Sequence, residues 1–432
     1  MIKRLFSKGV VLCLALGLLA GVAGCSPEPT PELQLQEVSQ GMIQAGPDAQ
    51  RFVRDNPDLF KVLRVITGDA QRLLMRAHTC IAVYDLHEDG TATVATVLDL
   101  RQLHPEIKHN DVEIQPLLGA RWLVLSQEQG VWLADMTQGR VYALANVRGE
   151  GAVAGISPNG FVGIGAELQT PEGKTWIGAR IRTQGTEDAS AQDGTQGVES
   201  TSAQAPPPEA IVMFADAEPI LGIQAGDNGA LLVTQEDGVP RYSLVAKPGA
   251  KPKRLPIYQY GTRSIGLDEE GAYIWGERLW LVTPGGRVRS QNMPNETVLA
   301  AQYTGNQTAF MLVDRGEAHP AAMHVVVEDI KTGETLPHAV PQSISMALTP
   351  GLFGHVTRDS TGNVRMWLGG KSYTNVYEVS NLGVFPGGDN HCATVVGMDY
   401  IVGVFKDPDA TPRVRFFVYD LEGRQLKVYA PQ

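Results

Sequence analysis

Residues 131–144 read VWLADMTQGRVYAL. An apolar run from Val131 to Ala134 ends in Asp135, a short turn closes on Gly139, and Arg140 opens a second alternating run to Leu144. An aspartate ahead of a turn accepts backbone N–H groups two residues on, and glycine supplies the positive φ that a tight hairpin needs. The stretch therefore predicts two antiparallel strands and a hairpin.

The same pattern recurs in AVYDLHEDGTATV (82–94), LWLVTPGGRVRS (279–290), HVVVEDIKTGETLP (324–337) and FFVYDLEGRQLKVY (416–429), with weaker copies at RIRTQG (180–185), LVAKPGAKPKRL (244–255) and MWLGGKSYTNVYEV (366–379). Asp85, Asp135, Thr283, Asp329 and Asp420, the last strong residues before the five strong turns, stand 50, 148, 46 and 91 residues apart. These are close to one, three, one and two units of about 45 to 50 residues, the period of a propeller blade, whose four-stranded sheet must stack on its neighbours to bury its faces. Between the marks lie further apolar pairs, AVAGISPNGFVGIG (152–165), ILGIQAGDNGALLVT (220–234) and SIGLDEEGAYIW (264–275), which read as the inner two strands of a blade. The expectation is an all-β fold, a β-propeller of seven or eight four-stranded blades over 79–432, with eight marks favouring eight. Helical periodicity is confined to residues 48–75, so 48–78 is either a helical lead-in or the first strands of the first blade. Residues 182–209 hold one Val and no Leu, Ile, Met or aromatic. Such a segment cannot bury enough apolar area to offset its ordering entropy, and it is read as a disordered insertion between two strands.

The chain starts with Lys3, Arg4 and Lys8, followed by an uncharged apolar run from Gly9 to Ala23. This reads as a secretory signal peptide over 1–24, too short for a comfortable membrane span. Its end, Val22-Ala23-Gly24-Cys25, resembles the lipobox of bacterial lipoproteins. That resemblance implies that Cys25 becomes the lipidated first residue. Ser26, where an Asp would retain such a protein at the inner membrane, implies the inner leaflet of the outer membrane, facing the periplasm. Several acyl chains make a stable anchor without a spanning helix. The proline-rich SPEPTPE that follows predicts an extended, solvated tether over 25–47.

Removal of 1–24 takes three basic residues from 36 and no acidic ones from 47, so the mature chain carries a formal net charge of −14. A chain this acidic, without a basic run interleaved with aromatics, is not a nucleic-acid binder. Of four cysteines, Cys13 leaves with the signal and Cys25 is lipidated, which leaves Cys80 and Cys392. In an oxidising compartment the two invite a disulfide tying the start of the domain to its end; the alternative is two buried free thiols.

VWLADMTQGRVYAL, DIKTGE and DLEGRQ resemble the quinoprotein-type propeller repeat, although the tryptophan usual after the Gly-basic pair is replaced by Tyr142, Leu336 or Leu426. With the lipobox and the chain length, the whole is similar to the propeller lipoprotein of the outer-membrane β-barrel assembly machinery. That resemblance implies a scaffold presenting loops to an envelope protein partner.

No motif rises to a catalytic or metal-binding signature. His319 and His324 have a spacing that suits neither HExxH nor a helical pair; Asp407 and Asp409 flank Pro408 in a turn; GISPNG (155–160) lacks the second glycine of a nucleophile elbow; TPEGKTW (170–176) lacks the aspartate of an Asp-box. His78 and His391, each just ahead of a cysteine, read as strand packing. No cofactor and no metal site are expected. The six tryptophans, Trp122, Trp132, Trp176, Trp275, Trp280 and Trp367, are spread along the chain and read as core. Two functions follow: an anchored protein-binding scaffold, or a ligand-binding, hydrolytic or lyase propeller with its site at the central channel.

Overall fold

The computed structural model describes residues 31–432 apart from breaks between strands, the widest being 104–111, 184–207, 315–322 and 380–391; over 291–399 it describes the strands' backbone. The expected insertion 182–209 thus falls largely outside the described residues, as does the signal segment with Cys25. The chain divides into 1–32 and 33–432, and only the second unit is described below.

Four-stranded antiparallel meanders repeat along the described residues. Sheet 1 is Leu63–Gly68, Arg72–Ala77, Cys80–Leu86 and Thr91–Asp99. Sheet 2 is Glu113–Pro116, Trp122–Gln127, Gly130–Asp135 and Arg140–Leu144. Sheet 3 is Val147–Ile156, Phe161–Thr170, Gly173–Arg182 and Glu209–Asp216. Sheet 4 is Ile220–Gly226, Gly229–Glu236, Val239–Val245 and Lys253–Arg254. Sheet 5 is Ser264–Asp268, Gly271–Trp275, Leu279–Val282 and Val288–Gln291. Meanders over 297–340, 343–379 and 392–431 complete eight among the described residues. Every hairpin mark of the sequence falls between the third and fourth strands of a meander, and the three apolar pairs fall on first and second strands.

In the opening stretch, Oδ1 of the buried Asp135 accepts the N–H groups of Thr137 and Gln138, both at 3.0 Å, and Gly139 stands at φ 65°. In sheet 5 the Thr283 hydroxyl accepts the Arg287 N–H at 3.1 Å, with Gly286 at φ 76°. Asp85 departs from the pattern: it pairs with Arg72 on the neighbouring strand at 2.8 Å, and Asp89 holds the turn through the Thr91 N–H.

The sheets stack through apolar clusters. Leu74, Ile81 and Leu98 meet Leu123, Leu125 and Trp132 between sheets 1 and 2. Val124, Leu133 and Tyr142 meet Val162, Ile164 and Ile181 between sheets 2 and 3. Leu231, Val233 and Tyr242 meet Ile274 and Val282 between sheets 4 and 5. The last meander returns to the first: Leu73, Met75 and Tyr84 pack with Val402, Phe416 and Val418, and the Tyr84 and Phe416 rings meet edge to face at 4.8 Å. The final strand, Gln425–Pro431, also pairs in parallel with Thr91–Asp99 through Ala430↔Thr91 and Pro431↔Ala92.

Two expectations change. Residues 25–47 do not form a tether throughout. Leu33 is 8% exposed, Leu35–Glu37 adds a fifth strand to sheet 2, and Ile43–Ala45 pairs with the fourth strand of sheet 1. The apolar residues Leu33, Leu35, Val38, Met42 and Ile43 account for this docking, because each packs against the clusters of sheets 1 and 2. The lead-in 48–78 is both things the sequence allowed. A helix spans Pro47–Asp55, started by a proline whose missing N–H costs nothing there and stopped ahead of Pro57. Sheet 1 then begins at Leu63, well before the expected boundary at 79.

Gly149 lies at a close sheet contact: an added Cβ would stand 1.8 Å from the Gln127 carbonyl oxygen and 2.3 Å from that of Gly130. Both obstacles are backbone and cannot swing away. Gly149→Ala is expected to lower stability by about 3 kcal/mol, read as a shift in urea midpoint at unchanged m-value.

Candidate functional site

A meander has two unlike ends. One carries the first-to-second and third-to-fourth hairpins, here the hairpin face; the other carries the second-to-third turns and the links from one sheet to the next, here the link face. First strands of neighbouring sheets run parallel. Val153, paired with Gly165, stands level with Ile220, and Gly155 with Ile223; further on, Gly222 meets Ile265 and Gly226 meets Leu267. Sheets 3 to 5 therefore present their link ends on one side and their hairpins on the other.

On the hairpin face, the outer hairpins of sheets 4 and 5 lie against each other. The Lys253 ammonium donates to the Gly285 carbonyl, and the end of the Lys253 side chain lies over Gly286. Lys247, Lys251, Lys253 and Arg287 are exposed there, and neither hairpin sequence, 245–253 or 282–288, contains an acidic residue. A carboxylate stands instead on the inner turn of sheet 4, as Asp227. In a chain of net charge −11 this is a local concentration of the opposite sign, the arrangement that steers an acidic partner.

On the link face, residues 255–262 join sheets 4 and 5 in an extended run of period two. Leu255, Ile257 and Gln259 are buried, whereas Tyr258 is 72% and Tyr260 85% exposed. The Gln259 amide donates to the Tyr242 hydroxyl at 2.8 Å and accepts from the Trp280 indole N–H at 3.1 Å; the Tyr242 and Thr262 hydroxyls are 2.7 Å apart. The segment is thus pinned from beneath while its two tyrosines face solvent. A cleft of about 600 Å³ also opens beside sheet 2, lined among others by Val38, Met42, Glu128, Gln129, Trp132 and Arg148. Among the described residues its lining includes no hydroxyl, thiol or imidazole side chain, and its one carboxylate is Glu128.

Cys80 is a free, fully buried thiol in the cluster shared by sheet 1 and the last meander. Burial, with Asp99 nearby, pushes its pKa up to about 11, the opposite of an activated cysteine. Cys392 opens the strand Cys392–Val396 opposite Val404, and its side chain is outside the described residues. His324 and Trp367 lie on strands of which only the backbone is described; His319, His391, Asp407 and Asp409 lie outside the described residues. His78 occupies a turn at φ 40°. Trp122, Trp132 and Trp275 are buried, while Trp176 and Trp280 are half-buried. Among the described residues no group of three His, Cys, Asp or Glu could hold a metal ion.

No family model matches the chain, and no curated protein matches it. Among solved structures it is similar to the dihydro-heme d1 dehydrogenase NirN in complex with DHE, at 15% identity over 94% of this chain and 81% of that one, TM-score 0.46. It is similar to a prolyl endopeptidase, at 11% identity over 84% and 57%, TM-score 0.46, and to a putative TolB from Agrobacterium tumefaciens, at 14% identity over 51% and 83%, TM-score 0.29. The chain spans 43% of the length of the tricorn protease, which it also matches, and 57% of the prolyl endopeptidase. With its repeated four-stranded sheets, the chain is an all-β protein of the β-propeller class.

Two outcomes follow from this geometry. Gln259→Leu leaves the Trp280 N–H without its acceptor and is expected to cost about 2 kcal/mol, with hydrogen-exchange protection lost over 255–262 before the rest of the sheets. Because the folded state raises the Cys80 pKa from its usual 9 to about 11, the stability it confers is full below pH 9 and is lost as pH rises towards 11. A Cys80→Ala variant should show a flatter stability profile in that window. Iodoacetamide should leave native Cys80 unmodified at pH 8 and alkylate it in urea without reductant; failure in urea would indicate a disulfide.

Proposed function

We propose that the chain is an exported, lipid-anchored scaffold of the bacterial cell envelope, an eight-bladed propeller that docks an acidic partner protein on the outer hairpins of sheets 4 and 5. Three features support the anchor: the basic start, the apolar run and the small residues ending in Cys25. Ser26 favours the outer membrane, with the folded body in the periplasm. Eight blades are supported by the eight meanders and by the packing of the last on the first. The docking role rests on one observation: Lys247, Lys251, Lys253 and Arg287 stand exposed on two abutting hairpins that contain no carboxylate, within an acidic chain. Tight turns of this kind are held by their own backbone, so little loop freedom is lost when a partner binds.

The test is recovery of a complex from cross-linked envelopes with the full lipidated protein. A Lys247→Glu, Lys251→Glu variant should keep its thermal stability and recover the same complex with yield reduced about tenfold, and wild-type recovery should fall with added salt. Undiminished recovery by the charge-reversed variant would remove the hairpins from the proposal. Cys25→Ala should leave the membrane fraction and lose the complex.

A further inference from the structure

We infer that the link face is turned to the lipid, and that Tyr258 and Tyr260 seat in the headgroup region of a phospholipid bilayer as a second contact beside the anchor. This rests on the reading of Cys25 as the anchor.

The first argument is where the chain enters the fold. The Gln34 carbonyl accepts the Ala145 N–H at 2.9 Å, and Leu35 pairs with Leu144. Both contacts lie at the end of the fourth strand of sheet 2, where the link to sheet 3 begins, on the link face. From Cys25 to Leu33 the chain has few residues, and at about 3.1 Å each they span only about 25 Å when extended. The docked strands Leu35–Glu37 and Ile43–Ala45 consume the rest of what the sequence offers as a tether. The point at which the chain enters the link face therefore stays within about 25 Å of the lipid.

The second argument is where exposed apolar surface lies. Among the described residues five large hydrophobic side chains are exposed: Val62, Leu221, Tyr258, Tyr260 and Val428. Val62 immediately precedes the first strand of sheet 1, Leu221 stands at the start of the first strand of sheet 4, and the tyrosines lie on the link between sheets 4 and 5. Four of the five thus sit at link ends, and none on the outer hairpins of sheets 4 and 5 that carry the lysines. Tyrosine combines an apolar ring with a polar tip and concentrates at membrane–water interfaces for that reason. Here the two rings project from a segment that Gln259 fixes to Tyr242 and Trp280, so the contact would be rigid.

The experiment uses the lipidated protein reconstituted in vesicles of phosphatidylethanolamine and phosphatidylglycerol that include a doxyl-labelled phospholipid. A nitrobenzoxadiazole label is placed at Tyr260→Cys, or at Lys251→Cys on the hairpin face, each in a Cys80→Ala, Cys392→Ala background. The expected result is a blue-shifted label at 260, quenched several-fold more than the label at 251. Equal quenching at the two positions, in protein whose mass includes the acyl chains, overturns the inference and leaves the anchor standing. A mature mass without acyl chains overturns the anchor and this inference with it. In cells, a photo-cross-linker at position 260 that yields a discrete protein adduct instead of lipid would show that a protein covers the tyrosines, and would equally overturn the inference.

Discussion

A four-stranded antiparallel sheet has two faces, and in sheets 1 to 4 both are apolar, so each must find a neighbour on either side. The third strand of sheet 2, Gly130–Asp135, is buried along its whole length instead of alternately. This is the pattern of a strand covered on both faces. Such stacking requires backbones to approach closely where the strands converge, and glycine provides the space. At Gly155 an added Cβ would stand 1.9 Å from the Ile223 carbonyl oxygen, and at Gly149 1.8 Å from that of Gln127. These positions are fixed by the need to bring sheets 2, 3 and 4 together, and the register of everything outside them follows.

Edges pose the second problem, because an outer strand presents unpaired N–H and C=O groups that can pair with another chain. Sheets 1 and 2 solve it with the N-terminal segment: Leu35–Glu37 covers one outer strand and Ile43–Ala45 the other. The fourth strand of sheet 1 shares its edge between Ile43–Ala45, which pairs with Thr96–Leu98, and the C-terminal strand, which pairs with Thr91 and Ala92. Both ends of the folded unit therefore meet on one strand. The docking of residues 33–45 then does more than cover an edge, since it also fixes the face from which the chain must arrive.

How far the sequence could be read depended on whether the signal was local. Hairpins are local: Asp135, Gly139 and the apolar residues around them specify a turn within a few positions, and every marked hairpin lies where it was placed. The exception at Asp85 is instructive, because an aspartate ahead of a turn can instead be taken by Arg72 across the sheet, a partner that is adjacent only after pairing. Docking of 33–45 was not legible, since a proline-rich start masks a segment whose alternation of Leu33, Leu35 and Ile43 has meaning only against sheets 1 and 2. The surface residues were hardest. IYQY reads as another strand-like alternation, and nothing in it says that Gln259 turns inward to Trp280 while the tyrosines face water. The cluster KPGAKPKR was visible only as a weak hairpin; its abutment on the hairpin of Thr283 to Arg287 is a tertiary fact.

The unlike chemistry of the two faces follows from the meander itself. A hairpin is closed by its own strand pair, so its conformation is set by a glycine such as Gly249 at φ 68° or Gly286 at φ 76°, and its remaining positions are free to carry charge at little cost to the fold. A link has no partner strand; its backbone groups and any apolar residues must be fastened to the sheets beneath, as Leu255, Ile257 and Gln259 are. In an extended segment, fastening every second residue leaves the intervening ones outward. Pro256, Tyr258 and Tyr260 are those residues. Charge thus accumulates where turns are self-sufficient, and aromatic surface where the chain must grip and release the core alternately. In sheets 4 and 5 this sets the basic outer hairpins on one face and the two tyrosines on the other.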